Sequence, residues 1–138
     1  MDRKYSTDKD NLSENEMKFY AVNYFRGKVP RSSLNGYLEE VSFEEVSEAI
    51  NGLAVMGLSE ASKKLKETIL LFLQSPDIPQ SSGLLIDRYA NFDDKEYEKF
   101  EEKIFKKLSE YEDYFMELDD EVFDALCLFA DKNGMVVT

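Results

Sequence analysis

A chain of 138 residues with 43% apolar content, ten Phe and eight Tyr sits at the common size of one domain and can bury a core of its own. Its 29 acids against 17 bases leave a net charge of −12, which disfavours nucleic acid and anionic membranes and favours basic proteins or cations as partners. The absence of histidine excludes Ser-His-Asp and Cys-His nucleophilic systems and His-containing zinc sites, and one cysteine cannot build a thiolate cage within one chain.

The start of the chain, Met1-Asp2-Arg3-Lys4, leads into polar residues rather than an apolar leader, and residues 1–12 read as a polar arm. No apolar run approaches the roughly 18 residues a membrane helix needs. With Cys127 alone, no intramolecular disulfide can form. A cytoplasmic location is the expectation.

A helical domain is expected over residues 13–134. Ser13 with Glu16 forms a capping box, flanked by Leu12 and Met17 as a hydrophobic staple. Met17, Tyr20, Ala21, Tyr24 and Phe25 then make one apolar stripe. A shorter helix is expected over about Arg31–Glu40, with Pro30 at its first turn. Ser42 and Glu45, flanked by Val41 and Val46, open a helix carrying Phe43, Val46, Ile50, Leu53 and Ala54 and closed by Gly57. A weaker start at Ser59 leads into Ala61, Leu65, Ile69, Phe72 and Leu73, ended by Pro76.

The stretch 76–90 holds two Pro, one Gly and a Ser pair and reads as loop, with Leu84, Leu85 and Ile86 able to dock a short turn on the core. Asp93 and Glu96, with Phe92 and Tyr97, open the longest stripe: Tyr97, Phe100, Ile104, Leu108, Tyr111, Phe115. A last helix is expected to start at Asp119, stapled by Leu118 and Phe123, and to carry Val122, Phe123, Leu126, Phe129 and Ala130 before Gly134. Residues 135–138 form a short β-prone tail. The fold class is therefore all-α, a compact single-domain bundle of five to six helices without repeats.

The charge is uneven. Residues 1–92 hold 14 acids and 11 bases; residues 93–138 hold 15 acids and six bases. From Asp93 to Lys107 acids and lysines interleave, and pairs such as Glu102–Lys106 can neutralise each other. From Leu108 to Asp131 there are nine acids and no base. A second base-free window, Ser32–Ser62, holds six acids. Helix starts account for Glu45 and Asp119, and the macrodipole favours Asp120 and Glu121 in the first turn of the last helix. Solubility accounts for others. Neither explains Asp113 and Glu117, like charges at i, i+4 that a sequence selected for stability alone would alternate.

Chemistry-bearing motifs are few. No Walker loop or G-x-G-x-x-G turn occurs. Asp8-Lys9-Asp10 starts like a calcium loop, but Leu12 and Ser13 fall where an oxygen ligand and a glycine belong. Cys127, between Leu126 and Leu128, reads as a structural thiol. The basic cluster Lys63, Lys64, Lys66 reads as solvent-facing rather than as a nucleic-acid face. No metal and no cofactor is expected.

Phe43 to Gly57, Leu58-Ser59-Glu60-Ala61 and Leu65 to Phe72 resemble a bacterial all-helical family in which two helices meet at a Gly and a short turn, the second ending in Leu-Phe. Leu118-Asp119-Asp120-Glu121-Val122-Phe123 through Asn133 is similar to that family's closing segment. Val29-Pro30-Arg31-Ser32-Ser33-Leu34, before Tyr37-Leu38, stands where the family usually has an Asn-Gly-Gly-aromatic stretch, so Ser32-Ser33 replace the glycine pair. The family includes a DNA-mimic protein, a dimer that occupies the DNA-binding surface of a transcriptional regulator. The resemblance implies a helical fold and such a role.

Together these observations favour a non-catalytic acidic interaction protein, a DNA mimic that occupies the DNA-binding surface of a basic partner such as a transcriptional regulator. The alternatives are an immunity-type inhibitor of a basic toxin and a carboxylate- or metal-dependent enzyme. The candidate partner-binding residues are Glu110, Glu112, Asp113, Glu117, Asp120, Glu121 and Asp124, joined by Glu39, Glu40, Glu44 and Glu48. The expected partner is a basic, DNA-binding protein, with no direct nucleic-acid or membrane binding and with a homodimer left open.

Overall fold

The computed structural model describes residues 13–134. The polar arm, the rejected calcium-loop start, the Leu12 half of the first staple and the tail 135–138 lie outside the described residues. Four α-helices and one 3-10 turn follow in order: α1 Glu14–Glu40, α2 Phe43–Val55, α3 Ser59–Leu73, the turn Leu85–Tyr89, and α4 Asp94–Lys132. Neighbours in sequence pack as neighbours in space, α1 on α2, α2 on α3 and α3 on α4, and α4 closes the ring against α1. No described helix is long and apolar enough to cross a membrane.

The three strong start signals form as expected. Ser13 with Glu16, Ser42 with Glu45, and Asp93 with Glu96 are reciprocal capping boxes, each satisfying two orphan N–H groups. The stops hold as well. Gly57 (φ 86) and Gly134 (φ 68) take the left-handed backbone that ends α2 and α4. Gln74 (φ 52) caps α3, two residues before Pro76.

Among the described residues the count is four rather than the five to six expected: the boundary at Asp119 dissolves, and the short helix expected over about Arg31–Glu40 continues the run of α1 after a break at Ser33. Asp119 starts no helix: α4 runs unbroken through it, about 58 Å at 1.5 Å per residue. Its carboxylate instead meets Arg26, with Nε 3.0 Å from Oδ1 and NH2 donating to Oδ2 at 3.1 Å. Asp120 and Glu121 therefore sit mid-helix, where the macrodipole does nothing for them. The weaker start at Ser59 does open α3, although its cap residue is Leu58, with no side-chain bond.

Pro30 lies inside α1 rather than at a first turn. The interruption comes at Ser33 (φ 70, ψ 165), which breaks the helical backbone between two segments that share one run. Ser33 Oγ accepts from the Gly36 N–H at 3.3 Å and starts the second segment. The Leu34 N–H donates to Glu112 Oε1 at 2.7 Å across the interface with α4.

The core gathers all four helices and the turn. Phe25 meets Tyr37 and Phe115 edge-on at 5.0 and 4.9 Å, joining both segments of α1 to α4. Tyr89 stacks on Phe100 at 4.5 Å and donates its hydroxyl to the Phe72 carbonyl, which seats the turn between α3 and α4. Of the three residues expected to dock, Leu85 is fully buried there and Ile86 half-buried, while Leu84 stays exposed. Gly52 admits α1 against α2: a Cβ there would stand 2.7 Å from Val22 Cγ2 and 3.0 Å from the Lys18 carbonyl.

Ser33 holds a backbone region that is nearly reserved for glycine and costs about 1–3 kcal/mol for other residues. Ser33→Gly relieves that cost and loses a cap worth only a few tenths of a kcal/mol relative to glycine. It is expected to raise unfolding stability by about 1 kcal/mol, while Ser33→Ala, losing the cap and keeping the strain, lowers it by about 1 kcal/mol. Urea midpoints at unchanged slope decide this; a less stable glycine variant refutes the strain assignment.

Candidate functional site

On α4 the buried line runs through Phe100, Ile104, Leu108, Tyr111, Phe115, Val122, Leu126 and Phe129. At about 100° per residue, Asp113, Glu117, Asp120 and Asp124 fall within roughly 40° of the line diametrically opposite. Glu110 and Glu121 flank them, and all six side chains are exposed. Among the described residues none of the six has an ion pair or hydrogen bond. Their spacings of three and four residues put Glu110 beside Asp113, Asp113 beside Glu117, Glu117 beside Asp120 and Glu121, and Asp124 beside both of those. The result is a continuous band of like charge, about 21 Å long from Glu110 to Asp124 at 1.5 Å per residue.

The remaining candidates are placed differently. Glu112 turns inward to the Leu34 N–H. Glu39 accepts from the Tyr97 hydroxyl at 3.0 Å and from Asn35 at 3.4 Å. Glu40 pairs with Lys28 at 2.7 Å and Glu48 with Lys18 at 3.9 Å. Glu44 is exposed. Glu44 and Glu48 line a cleft with Met17, Tyr20 and Tyr24, whereas α1 meets α4 through Phe25, Arg26, Val29 and Pro30. Glu39 and Glu40 belong to α1 and Glu44 and Glu48 to α2, and all but Glu44 are engaged by neighbours, so this group does not extend the unpaired α4 band.

Other expectations from charge fare unevenly. Lys63 and Lys66 are exposed, and Lys64 is half-buried with its ammonium 5.9 Å from the Tyr114 ring. Glu102 and Lys106 make no ion pair within contact distance, as the three pairs among the described residues lie elsewhere. Cys127 is half-buried. Among the described residues no three Asp, Glu or Cys side chains converge as a metal site.

Four large apolar side chains of α4 escape the core: Phe105 at 68% exposure, Met116, Phe123 and Leu128 at 71%. Phe123 was expected in the core, but the Arg26 guanidinium covers its ring at 4.6 Å and the far face meets solvent. Phe105, Met116 and Phe123 share one shoulder of α4, roughly 60–80° from the centre of the acid band. Phe105 was readable in principle: it follows core residue Ile104 and so points about 100° off the stripe.

A family model for DMP19-like proteins matches residues 10–133. The chain belongs to the DMP19-like family. No curated protein and no solved structure matches it. Within this DMP19-like chain the match covers every described helix, including the whole acid band and the α1 interruption.

Burial above all, with inward-facing carboxylates adding to it, raises tyrosine pKa values. Burial first, then the bond to Glu67, pushes the Tyr111 hydroxyl up to about 12. Burial and then Glu39 push Tyr97 up as well. Tyr37, wholly enclosed and with no hydrogen-bond partner for its hydroxyl, is raised by burial above all. Each favours the protonated native state. Stability from these groups is complete below the ordinary tyrosine value near 10 and is lost as pH climbs toward the raised native values. Helical circular dichroism should therefore collapse between about pH 10 and 12, together with a cooperative rise in tyrosinate absorbance. Tyrosinate appearing while the helices persist refutes this.

The two kinds of acid should also separate by mutation. Glu112→Ala leaves a part-buried N–H without its acceptor and is expected to cost about 1–3 kcal/mol. Asp113→Ala, one residue along, relieves repulsion and is expected to be neutral or stabilising by about 0.2–0.5 kcal/mol per like-charge neighbour. Denaturant titration of both variants reads the contrast; equal losses would remove the distinction.

Proposed function

We propose that this chain is a non-catalytic interaction protein whose α4 band presents carboxylates to the DNA-binding surface of a basic partner, such as a transcriptional regulator. The observation that carries the reading is the unpaired like-charge band itself. Helix starts, buried tyrosines, Arg26 and the α1 interruption each take carboxylates elsewhere, and none takes these six. A run of repulsive neighbours costs the isolated protein a few tenths of a kcal/mol per pair, which a cationic partner offsets.

Spacing supports the same reading. Six carboxylates over about 21 Å give one per roughly 4 Å of axis, against about 3.4 Å for phosphates along one DNA strand. Membership of the DMP19-like family agrees with the resemblance of residues 29–133 to a helical family that includes a DNA mimic. The band also repels duplex DNA, so the chain competes with DNA for the partner rather than joining it.

The test is an affinity capture from host lysate at low salt. A DNA-binding protein should be retained, released by salt, and released by duplex DNA at constant ionic strength. A variant carrying Asp113→Asn, Glu117→Gln, Asp120→Asn and Asp124→Asn should bind at least about tenfold more weakly, a loss of about 1.4 kcal/mol, while unfolding no more easily than the parent. An empty eluate, or a captured protein indifferent to DNA, sinks the mimic.

A further inference from the structure

We propose that the groove between the interruption of α1 and the N-terminal half of α4 is a second docking site, one that takes an arginine-bearing segment of a partner protein. The inference extends the reading of a basic partner but uses a different surface. The groove encloses about 610 Å³. Its floor rests on Ile104 and Leu108, which the core already buries, and its exposed apolar surface is Phe105, two-thirds exposed. Around that floor stand the carboxylates of Glu98, Glu101, Glu102 and Glu112, and no lysine or arginine lines the groove.

The chemistry of the rim selects the occupant by charge and by donor count. Asn35, also in the lining, uses its amide nitrogen on Glu101 Oε2 at 2.9 Å and Glu39 Oε2 at 3.4 Å. Its Oδ1 is left buried with no donor. Glu101 and Glu112 each have one oxygen engaged within the fold, and Glu98 and Glu102 have none engaged among the described residues. The free oxygens of the four carboxylates therefore give the groove an excess of acceptors and a net negative field beside the exposed Phe105 ring. A metal ion fits poorly, because no three of these groups converge. A guanidinium fits well: it carries five donors, spreads its charge over a plane, bridges separated carboxylates and lies flat on an aromatic ring such as Phe105. An ammonium offers three donors and no planar face.

The experiment titrates the isotope-labelled full chain with the peptide acetyl-Leu-Arg-Ile-Arg-Leu-amide and with its lysine counterpart, followed by NMR. Shift changes should cluster at Ser33, the Asn35 side-chain amide, Phe105 and Ser109, and the arginine peptide should bind at least about fivefold more tightly than the lysine one. Glu98→Gln with Glu102→Gln, and separately Phe105→Ala, should each weaken binding about tenfold. These side chains are exposed and make no hydrogen bond among the described residues, so helical circular dichroism should not change. Asp113→Asn with Asp120→Asn should alter groove binding by less than about twofold. Shifts confined to 110–124, equal binding of the two peptides, or groove shifts that follow protein concentration without peptide (a second copy as occupant) would each overturn the proposal. DNA-sensitive capture through the band could survive any of these outcomes, so the two readings fail separately.

Discussion

The bond from the Leu34 N–H to Glu112 fixes how α4 lies on α1. Seven residues along α4, Asp119 holds Arg26 on the other side of Ser33. Two carboxylates a heptad apart thus grip α1 before and after its interruption, and toward the start of α4 Glu101 and Tyr97 continue the contact through Asn35 and Glu39. Apolar packing alone leaves a long helix some freedom to roll, since neighbouring ridges offer similar grooves. These directional bonds remove it. With the roll set, Asp113, Glu117, Asp120 and Asp124 have nowhere to face but solvent.

That division gives the net charge two meanings. A part-buried carboxylate with a donor is a structural element whose loss leaves the donor stranded, an effect of about 1–3 kcal/mol. A carboxylate of the band contributes a small repulsion and nothing else to the folded chain. The difference is several-fold in size and opposite in sign, so neighbours such as Glu112 and Asp113 behave as different kinds of residue. Composition cannot separate them, and the −12 total hides the distinction.

Local signals were legible where local interactions decide. The capping boxes at Ser13, Ser42 and Asp93 form because both partners lie three residues apart and compete with nothing. Asp119 shows the opposite case. It carries the same local pattern, with Leu118 and Phe123 as the staple, yet Arg26, distant in the chain, takes its carboxylate and Phe123 turns out to lie under that guanidinium. A cap signal inside a strongly periodic run yields to the run when a tertiary partner claims the side chain. Ser33 was half legible: the resemblance placed a glycine pair at Ser32-Ser33, and the φ of 70 at Ser33 is the backbone a glycine there would supply without strain. Of the candidate surface, the α4 stretch was legible from the missing lysines. The inward turn of Glu112 and the engagement of Glu39, Glu40 and Glu48 depend on which face α1 presents, and no spacing rule contains that.

The outer line of α4 also carries direction. Lys95, Lys99, Glu102 and Lys106 fall within roughly 40° of the same line as Asp113, Glu117, Asp120 and Asp124, so the outer face is mixed in its N-terminal half and wholly acidic in its C-terminal half. Like-charge repulsion along the outer face is therefore concentrated in the C-terminal half of α4. The lysines that look like neutralising company in the sequence do stand on the outer face of the N-terminal half, and none follows between Leu108 and Asp131, so the unbalanced band begins where they end.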